Sequence, residues 1–343
     1  MLNLKTTCAT LFLVLSITNC YSQKLNEIQV IGSHNSYKKA MDTELWNYLN
    51  EMDHKTALTL EYEHIPLKDQ LDLGLRALEL DVYYDPNGGH YSNPKGLDVV
   101  RSKGGSPMPY NEKELLKPGF KLMHVQDLDF RTHHILLKDA LKVLLAWSKQ
   151  NPAHDPIFIT MNTNDEKIPQ LRDPLPFTKI AYDSLDMEIR SVLKERVIDP
   201  DKVRKAGMNL EESILKHGWG DLSNYKNGFI FVLDASPESS QHDLYIKNNP
   251  NLSNRVFFTN SKEGTPSAAI RIINDPIVDF EYIRSLVKKG YIIRTRADAD
   301  TKEARENDYS RLEKAKESGA HIISTDYYQP SRFFKSDYKC EIE

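Results

Sequence analysis

Short hydrophobic runs rich in β-branched residues recur along the chain, separated by longer stretches with helical or turn-like patterns. Several of these runs have almost no polar interruption, which is typical of parallel strands covered on both faces. The pattern predicts eight strands, at Ile28–Ile31, Ala77–Val82, Lys121–Met123, Ile157–Thr160, Phe229–Leu233, Val256–Thr259, Ile292–Thr295 and Ile322–Ser324.

Amphipathic stretches lie between these runs. His134–Lys149 carries leucines on one side, and an Asn-Pro pair follows it, so we predict a helix that ends there. Phe280–Lys289 and Thr301–Ser318 have similar patterns and are also predicted helices. Eight strands alternating with helices predict an α/β fold, a closed (β/α)8 TIM barrel, with a doubly wound open sheet as the alternative.

The N-terminus has the pattern of a secretory signal. Lys5 precedes an apolar stretch, Cys8–Ile17, which is too short to span a membrane. Residues 1–22 are therefore predicted to be a signal peptide cleaved after Ser22, which makes the protein secreted, periplasmic or exposed at the cell surface. Acylation of Cys20, giving a lipoprotein, is the alternative.

Length and composition fit one globular domain over residues 23–343. The chain has 343 residues, of which 40% are hydrophobic and 27% are charged, so it can bury a substantial core. The formal net charge of −4 excludes the strong basic field that is typical of nucleic-acid binding. Nothing in the sequence indicates a protein partner.

Histidines stand at the downstream ends of two predicted strands, His34 after the first and His124 after the third. The carboxyl ends of barrel strands meet at one rim, so the two side chains are expected near each other. Imidazole titrates near neutral pH, so one histidine could remove a hydroxyl proton while the other protonates a leaving alkoxide. A structural role for either histidine is the alternative.

Oxygen-bearing side chains follow the same strand ends. Glu79 and Asp81 are two residues apart on one strand, so they share a face. Two buried carboxylates are costly unless they are paired with Arg76, three residues away, or bound to a cation. The amides of Asn35 and Asn162 could join them, although each could equally be a turn or capping residue. An all-oxygen ligand set favours Ca²⁺, and less so Mg²⁺, over Zn²⁺.

Charged residues also follow the last two strands. Arg294 and Arg296 alternate on a strand and so share a face, where their guanidinium groups suit a phosphate or vicinal hydroxyls. Asp298 follows them, and an Arg–Asp network that closes the barrel is the alternative. Asp326 follows the eighth strand and could accept hydrogen bonds from a polyol or cap the next segment.

These fragments resemble the calcium-dependent phosphoinositide phospholipase C family, in the bacterial-type branch of the PLC-like phosphodiesterase superfamily. The matching motifs are Ile31–Tyr37, the G-x-R-x-x-E-x-D strand at Gly74–Asp81, Gly119–Asp127, Arg294–Thr301 and Ser324–Tyr327. They occur in the family's order and span nearly the whole chain after residue 22.

The resemblance implies a catalytic pair, His34 and His124, and calcium ligands at Asn35, Glu79 and Asp81. The arginines and acids of the matching motifs are then expected to bind the substrate: Arg76, Arg294, Arg296, Asp298 and Asp326.

One position departs from the family pattern. The fourth strand usually supplies a further acidic ligand, and the aligned residue here is Asn162. The departure lowers the negative charge around a bound ion and should weaken its binding. Asp165 or Glu166 could compensate.

The resemblance also implies the reaction, which is cleavage of phosphatidylinositol-type phospholipids at a membrane surface through a cyclic inositol phosphate. A glycerophosphodiester phosphodiesterase is an alternative, but its usual opening motif is His-Arg-Gly, whereas this chain has His34-Asn35-Ser36. A catalytically inactive barrel that binds inositides or glycans is the other alternative.

Overall fold

The computed structural model describes residues 22–341, so all but the last residue of the predicted signal peptide, including Cys20, lies outside the described residues. Nine strands lie within this range. They are β1 (Val30–Ser33), β2 (Ala77–Tyr83), β3 (Lys121–Leu122), β4 (Ile157–Thr163), β5 (Phe229–Leu233), β6 (Phe257–Thr259), β7 (Ile270–Ile272), β8 (Ile292–Arg296) and β9 (Ile322–Thr325).

Thirteen α-helices lie in the same range, and none is long and apolar enough to cross a membrane. They are α1 (Thr43–Met52), α2 (His54–Thr59), α3 (Leu67–Asp72), α4 (Lys95–Ser102), α5 (Glu112–Leu115), α6 (Leu137–Gln150), α7 (Lys179–Leu193), α8 (Pro200–Val203), α9 (Leu210–His217), α10 (Ser240–Ile246), α11 (Phe280–Lys289), α12 (Lys302–Glu306) and α13 (Ser310–Glu317).

Eight parallel strands form the barrel, in the order β6-β5-β4-β2-β1-β9-β8-β7. The two ends of this order meet through a single parallel bridge between Asn260 and Ile270. The Asn260 side-chain oxygen also accepts a hydrogen bond from the Ile272 amide at 3.1 Å. The predicted (β/α)8 barrel is therefore confirmed, as a nearly closed barrel.

The barrel strands are apolar because both of their faces are covered. All five residues of β5 are buried, and so are all seven of β2. On the outer face, α6 contributes Leu137, Leu141 and Leu144, each completely buried. This packing removes most of the strands' apolar surface from water and so favours the fold.

One predicted barrel strand was wrong and another was missed. Lys121–Met123 forms only the short β3, which pairs antiparallel with the end of β2 and lies outside the barrel order. The missing barrel strand is β7, whose three residues include Arg271. A run this short, interrupted by a cation, has too weak a hydrophobic pattern to be recognised.

Two predicted helices also differ in extent. The helix predicted from His134 begins three residues later, at Leu137. The stretch Thr301–Ser318 is divided into α12 and α13 because Asn307 adopts a left-handed conformation, with φ of 56°. Asparagine tolerates this conformation better than most residues, so the sequence can end one helix and begin another there.

A close approach of β1 and β2 positions the first motif. A Cβ atom at Gly32 would lie only 2.4 Å from the Ala77 Cβ, so only glycine allows this spacing. Beyond β1, the Ser36 amide donates to the Glu79 carbonyl at 3.0 Å, and the Ser36 hydroxyl accepts from the Glu79 amide at 2.7 Å. The turn that carries His34 is thereby held against β2.

Candidate active site

His34 lies at the mouth of the barrel, where it contacts charged groups on three other strands or strand ends. Its Nδ1 lies 2.8 Å from Asp326 Oδ1, and its Nε2 lies 3.5 Å from Glu79 Oε1. The Asp326 carboxylate also accepts from Arg296 at 3.1 Å. Burial raises the pKa of Asp326, but its interactions with His34 and Arg296 outweigh this and lower it to about 2. Asp326 therefore stays ionised and orients the imidazole.

His124 has an aspartate partner of its own. Its Nδ1 lies 2.8 Å from Asp129 Oδ2. Burial lowers the pKa of His124, but the hydrogen bond and the charge of Asp129 outweigh it, so the net shift is upward. Asp129 is balanced by Lys38, with 3.1 Å between Nζ and Oδ1 and neither side chain exposed. The arrangement favours a protonated His124.

Glu79 and Asp81 share one face of β2, and both point into the mouth. Burial and the charge of Glu79 raise the pKa of Asp81 to about 6. The Glu79 carboxylate accepts from Arg294 at 2.5 Å, and the charges of His34 and Arg294 lower its pKa against the effect of burial. His34 contacts this carboxylate pair through Glu79, and both His124 and His34 act to lower the pKa of Asp81 against the larger effect of burial.

Of the two candidate asparagines, Asn162 contacts this carboxylate pair, and Asn35 contacts tyrosine hydroxyls instead. The Asn162 amide nitrogen lies 3.1 Å from Glu79 Oε1 and 2.9 Å from Asp81 Oδ1. Asn35 is buried, and its amide nitrogen donates to the Tyr62 hydroxyl at 2.7 Å. Asn162 thus meets both carboxylates, whereas the Asn35 amide is anchored on its nitrogen side.

The substrate residues predicted after β8 and β9 lie at different depths. Arg296 borders His34, with 3.4 Å between Nη1 and Nε2. Asp298 is completely buried, and its carboxylate accepts from the Asp326 amide at 2.8 Å and from the Thr325 hydroxyl. Asp298 therefore supports the backbone of Asp326 from behind, which corrects the prediction that it contacts the substrate.

Arg76 lies away from the mouth, which corrects two predictions made for it. It precedes β2, at the opposite rim, and its guanidinium donates to the carbonyls of Leu71 and Leu75 at 3.0 and 2.8 Å. It cannot contact a substrate at the mouth. It also does not neutralise Glu79, because an odd spacing along a strand directs the two side chains to opposite faces.

Sequence reasoning missed several residues of the site. Asp129 and Lys38 were not proposed, although each follows a candidate histidine by four or five residues. Asp234, directly after β5, was also missed, and burial is the main cause that raises its pKa to about 6. An acidic residue directly after a predicted barrel strand was the signal that could have identified Asp234.

The donor set fits a hard cation only if amide oxygens take part. Within residues 22–341, no three His, Cys, Asp or Glu side chains are grouped so that they could hold a metal ion. Glu79 and Asp81 are nevertheless buried together, and burial, followed by the charge of Glu79, raises the pKa of Asp81. Rotating the Asn162 amide would turn its oxygen toward the same two carboxylates. Carboxylate and amide oxygens are ligands that calcium accepts.

Solved structures similar to this one include two bacterial phospholipases. The calcium-dependent phosphoinositol-specific phospholipase C of a Pseudomonas species matches with a TM-score of 0.54 and 13% identity, over 90% of this chain and 92% of that chain. The calcium-dependent phosphatidylinositol-specific phospholipase C of Streptomyces antibioticus matches with a TM-score of 0.54 and 14% identity, over 90% and 96%. Identity this low supports the fold alone.

Sequence comparison identifies the family. No curated protein is significantly similar to this chain. The family model described as "Phosphoinositide phospholipase C, Ca2+-dependent" matches residues 23–343, which is nearly the entire chain. The chain therefore belongs to the Ca²⁺-dependent phosphoinositide phospholipase C family, and it is an enzyme of the phosphodiesterase class.

Proposed function

We propose that the protein cleaves phosphatidylinositol-type phospholipids by intramolecular attack, with His34 as the base and His124 as the acid. The observation that carries this proposal is the pair of histidine–aspartate contacts, each 2.8 Å long, together with the contact of His34 with Glu79 and the electrostatic effect of His124 on Asp81. An acid and a base on either side of one site are what transfer of a phosphoryl group between two hydroxyl oxygens requires.

The attacking group is the inositol hydroxyl next to the phosphodiester, so the nucleophile is already held close to phosphorus. Asp326 accepts the Nδ1 proton of His34, so Nε2 is unprotonated and takes the hydroxyl proton when the substrate replaces its 3.4 Å contact with Arg296. Formation of the new P–O bond gives a cyclic inositol phosphate, and the bond to the diacylglycerol oxygen breaks.

His124 completes this step by protonating the departing diacylglycerol oxygen. Asp129 raises the pKa of the imidazole above its usual value despite burial, which keeps the acid protonated near neutral pH. The cyclic product could later be opened by water, with the two histidines in exchanged roles.

Glu79, Asp81 and the amides of Asn162 and Asn35 would hold the calcium ion that the family's description implies. A bound calcium ion lowers the pKa of a coordinated hydroxyl and stabilises negative charge on the phosphate oxygens. The burial of both carboxylates supports this assignment, because a cation would offset negative charges that are held away from water.

We also propose that the rim around the mouth contacts the lipid surface. Ile277 and Val278, on the loop after β7, are 50% and 79% exposed. Their amides donate to the Asp275 carboxylate at 3.0 and 3.1 Å, which fixes the turn that presents them. Exposed apolar side chains on an ordered turn suit insertion between headgroups, and loss of vesicle binding on replacing both with serine would test this role.

The proposed enzyme acts outside the cytoplasm, with residues 1–22 removed as a signal peptide or with a lipid on Cys20. The remaining chain is a single catalytic domain over residues 23–343, and the start of the family match at residue 23 supports this division. The mass of the mature protein from its native host distinguishes cleavage after Ser22 from acylation of Cys20.

The decisive experiment follows the products by phosphorus NMR. The protein is offered phosphatidylinositol and glycerophosphoinositol, with calcium or with a chelator. We expect a cyclic phosphate from phosphatidylinositol in the presence of calcium only. Glycerol phosphate as the product, or equal turnover with the chelator, contradicts the proposal.

A further inference from the structure

Asp234 is a carboxylate in the mouth that none of the roles above uses. β2, β4 and β5 are neighbours in the barrel, with Asp81 beside Asn162 and Met161 beside Leu233. The Asp234 amide continues this ladder by donating to the Met161 carbonyl at 2.9 Å. Laterally adjacent residues of parallel strands point to the same face. Since Asn162 faces inward to Glu79 and Asp81, Asp234 faces inward as well.

The Asp234 carboxylate is available to a ligand. Its side chain is partly exposed and forms no hydrogen bond or ion pair with any residue between 22 and 341. It lies beside the candidate cation site, because it continues the ladder next to Asn162, which contacts both Glu79 and Asp81. A carboxylate offers acceptors only, so its natural partners are hydroxyl or N–H donors.

The cations of the mouth are already committed to protein partners. Arg294 is 2% exposed and is held by Glu79, Ser324 and Asn274. Lys38 is completely buried against Asp129.

Arg296 is bound to Asp326 at 3.1 Å and donates to the Asp298 carbonyl at 2.9 Å. None of these three cations is paired with Asp234. A headgroup ring that reaches Asp234 therefore meets an unpaired carboxylate.

We propose that Asp234 is a specificity-determining residue that distinguishes a free hydroxyl from a phosphate on the headgroup ring. Its carboxylate accepts a hydrogen bond from a ring hydroxyl, and its charge repels a phosphate at the same ring position. The inference rests on the proposed function, since it concerns the same mouth and the same lipid class. Like-charge contact in a partly desolvated site is a strong discriminator.

The test compares kcat/KM for phosphatidylinositol and for its three ring monophosphates, in mixed micelles of fixed composition. The proteins are the unmodified chain, Asp234→Asn and Asp234→Lys. Glu195→Gln is the matched control, because it removes the same charge from an exposed residue beside the start of β5, at the opposite end of that strand from Asp234.

We expect the unmodified enzyme to prefer phosphatidylinositol over at least one monophosphate isomer by about 100-fold. Asp234→Asn should narrow that ratio by about tenfold, and Asp234→Lys should narrow it further, mainly by raising kcat/KM on the monophosphate. Asp234→Asn should also raise KM for phosphatidylinositol with little change in kcat, because the lost hydrogen bond positions the ring in the ground state as well. Glu195→Gln should leave the ratio unchanged.

A second readout keeps the test independent of turnover. Calorimetric binding of myo-inositol should weaken in Asp234→Asn and stay unchanged in Glu195→Gln, with both variants unfolding at the temperature of the parent. Unchanged ratios in both Asp234 variants, with phosphatidylinositol still cleaved, overturn the inference alone. Failure of the unmodified protein to cleave any of the four lipids overturns the proposed function and the inference together.

Discussion

His34 and His124 each direct Nδ1 to an aspartate at 2.8 Å, yet the two aspartates lie in different surroundings. Asp326 is shared between His34 and Arg296, whose side chain is 14% exposed and borders the imidazole itself. Asp129 is balanced by Lys38, and both of those side chains are completely buried.

A bound substrate can therefore change the charges around the His34–Asp326 pair, whereas buried groups fix the surroundings of the His124–Asp129 pair. Arg296 and Glu79 both lie within 3.5 Å of the His34 ring, so a bound phosphate or cation changes the charges around that histidine directly. Lys38 also donates to the carbonyls of Leu60 and Tyr62 at 3.1 and 3.0 Å, which holds it in place under Asp129. The protonation state of His124 is therefore set mainly by the fold.

Replacing either histidine with alanine should give the largest effect. We expect kcat on phosphatidylinositol to fall about 1,000-fold or more in His34→Ala and in His124→Ala, because each removes a proton-transfer group. A substrate with a nitrophenol leaving group distinguishes the two histidines, because nitrophenolate departs without protonation and so needs no acid. It should restore much of the rate in His124→Ala but not in His34→Ala.

Both variants should remain folded, as judged by circular dichroism and thermal unfolding, so that the loss reflects chemistry. Near wild-type rates in either variant would refute the assigned pair. Rescue of His34→Ala instead of His124→Ala would exchange the roles of base and acid.

Replacing the aspartates should separate the two pairs by stability. Asp129→Asn leaves the Lys38 charge buried without its partner, so we expect a loss of about 3–5 kcal/mol in the free energy of unfolding. Asp326→Asn should lose less, because Arg296 is partly exposed and can be hydrated. Urea unfolding measures both, and equal losses would contradict the distinction between a buried and an accessible counter-charge.

A third histidine, His321, differs from His34 and His124 because its imidazole contacts backbone groups instead of an aspartate. Its Nδ1 accepts from the Ile293 amide and its Nε2 contacts the Asn26 carbonyl, both at 3.0 Å. Burial lowers its pKa to about 4, although the Asn26 carbonyl acts the other way.

The unfolded chain therefore binds a proton at His321 that the folded protein excludes between about pH 6.5 and pH 4. Its contribution to stability is present above this range and is lost as the pH falls through it. We expect protonation of His321 in the unfolded chain to lower the free energy of unfolding by about 2 kcal/mol between pH 7 and pH 5. Urea unfolding of His321→Gln should show a smaller fall over that interval, and an identical fall would exclude His321 as the cause.

The smallest effect should be a displacement of the pH profile. If protonated His124 is the acid, kcat/KM falls at high pH as His124 loses its proton. Asp129 raises the pKa of His124 against the effect of burial, so Asp129→Asn should move this alkaline limb to lower pH. Asp326→Asn should leave the limb in place. Displacement by Asp326→Asn alone would assign the alkaline limb to His34.

The parts of the fold that the sequence predicted are those with strong local patterns. β2 and β5 are uninterrupted apolar runs, so their burial on both faces could be inferred directly. β7 was missed because three residues with an arginine at the centre carry no such pattern. The antiparallel β3 was misassigned because a hydrophobic run does not specify its pairing partner.

The same limit applies to the site. Side chains at strand ends were predicted to meet because the barrel brings those ends together, and Glu79 and Asp81 do face the mouth. Partners that lie far apart in sequence could not be derived: Arg294 pairs with Glu79 from the other side of the barrel. Arg76, close to Glu79 in sequence, was misassigned because proximity along a strand does not place two side chains on one face.

β6 and β7 are joined by a single bridge, so local opening of the barrel should begin between these two strands. Amide hydrogens facing that line lack a full ladder of partners, so deuterium from solvent should replace them before those of β2 or β4. His34, the two carboxylates and Asp326 belong to β1, β2 and β9 or the turns after them, in the middle of the strand order. Opening of the barrel would thus begin at the wall farthest from the chemistry, and the reacting groups would keep their spacing while the opposite side loosens.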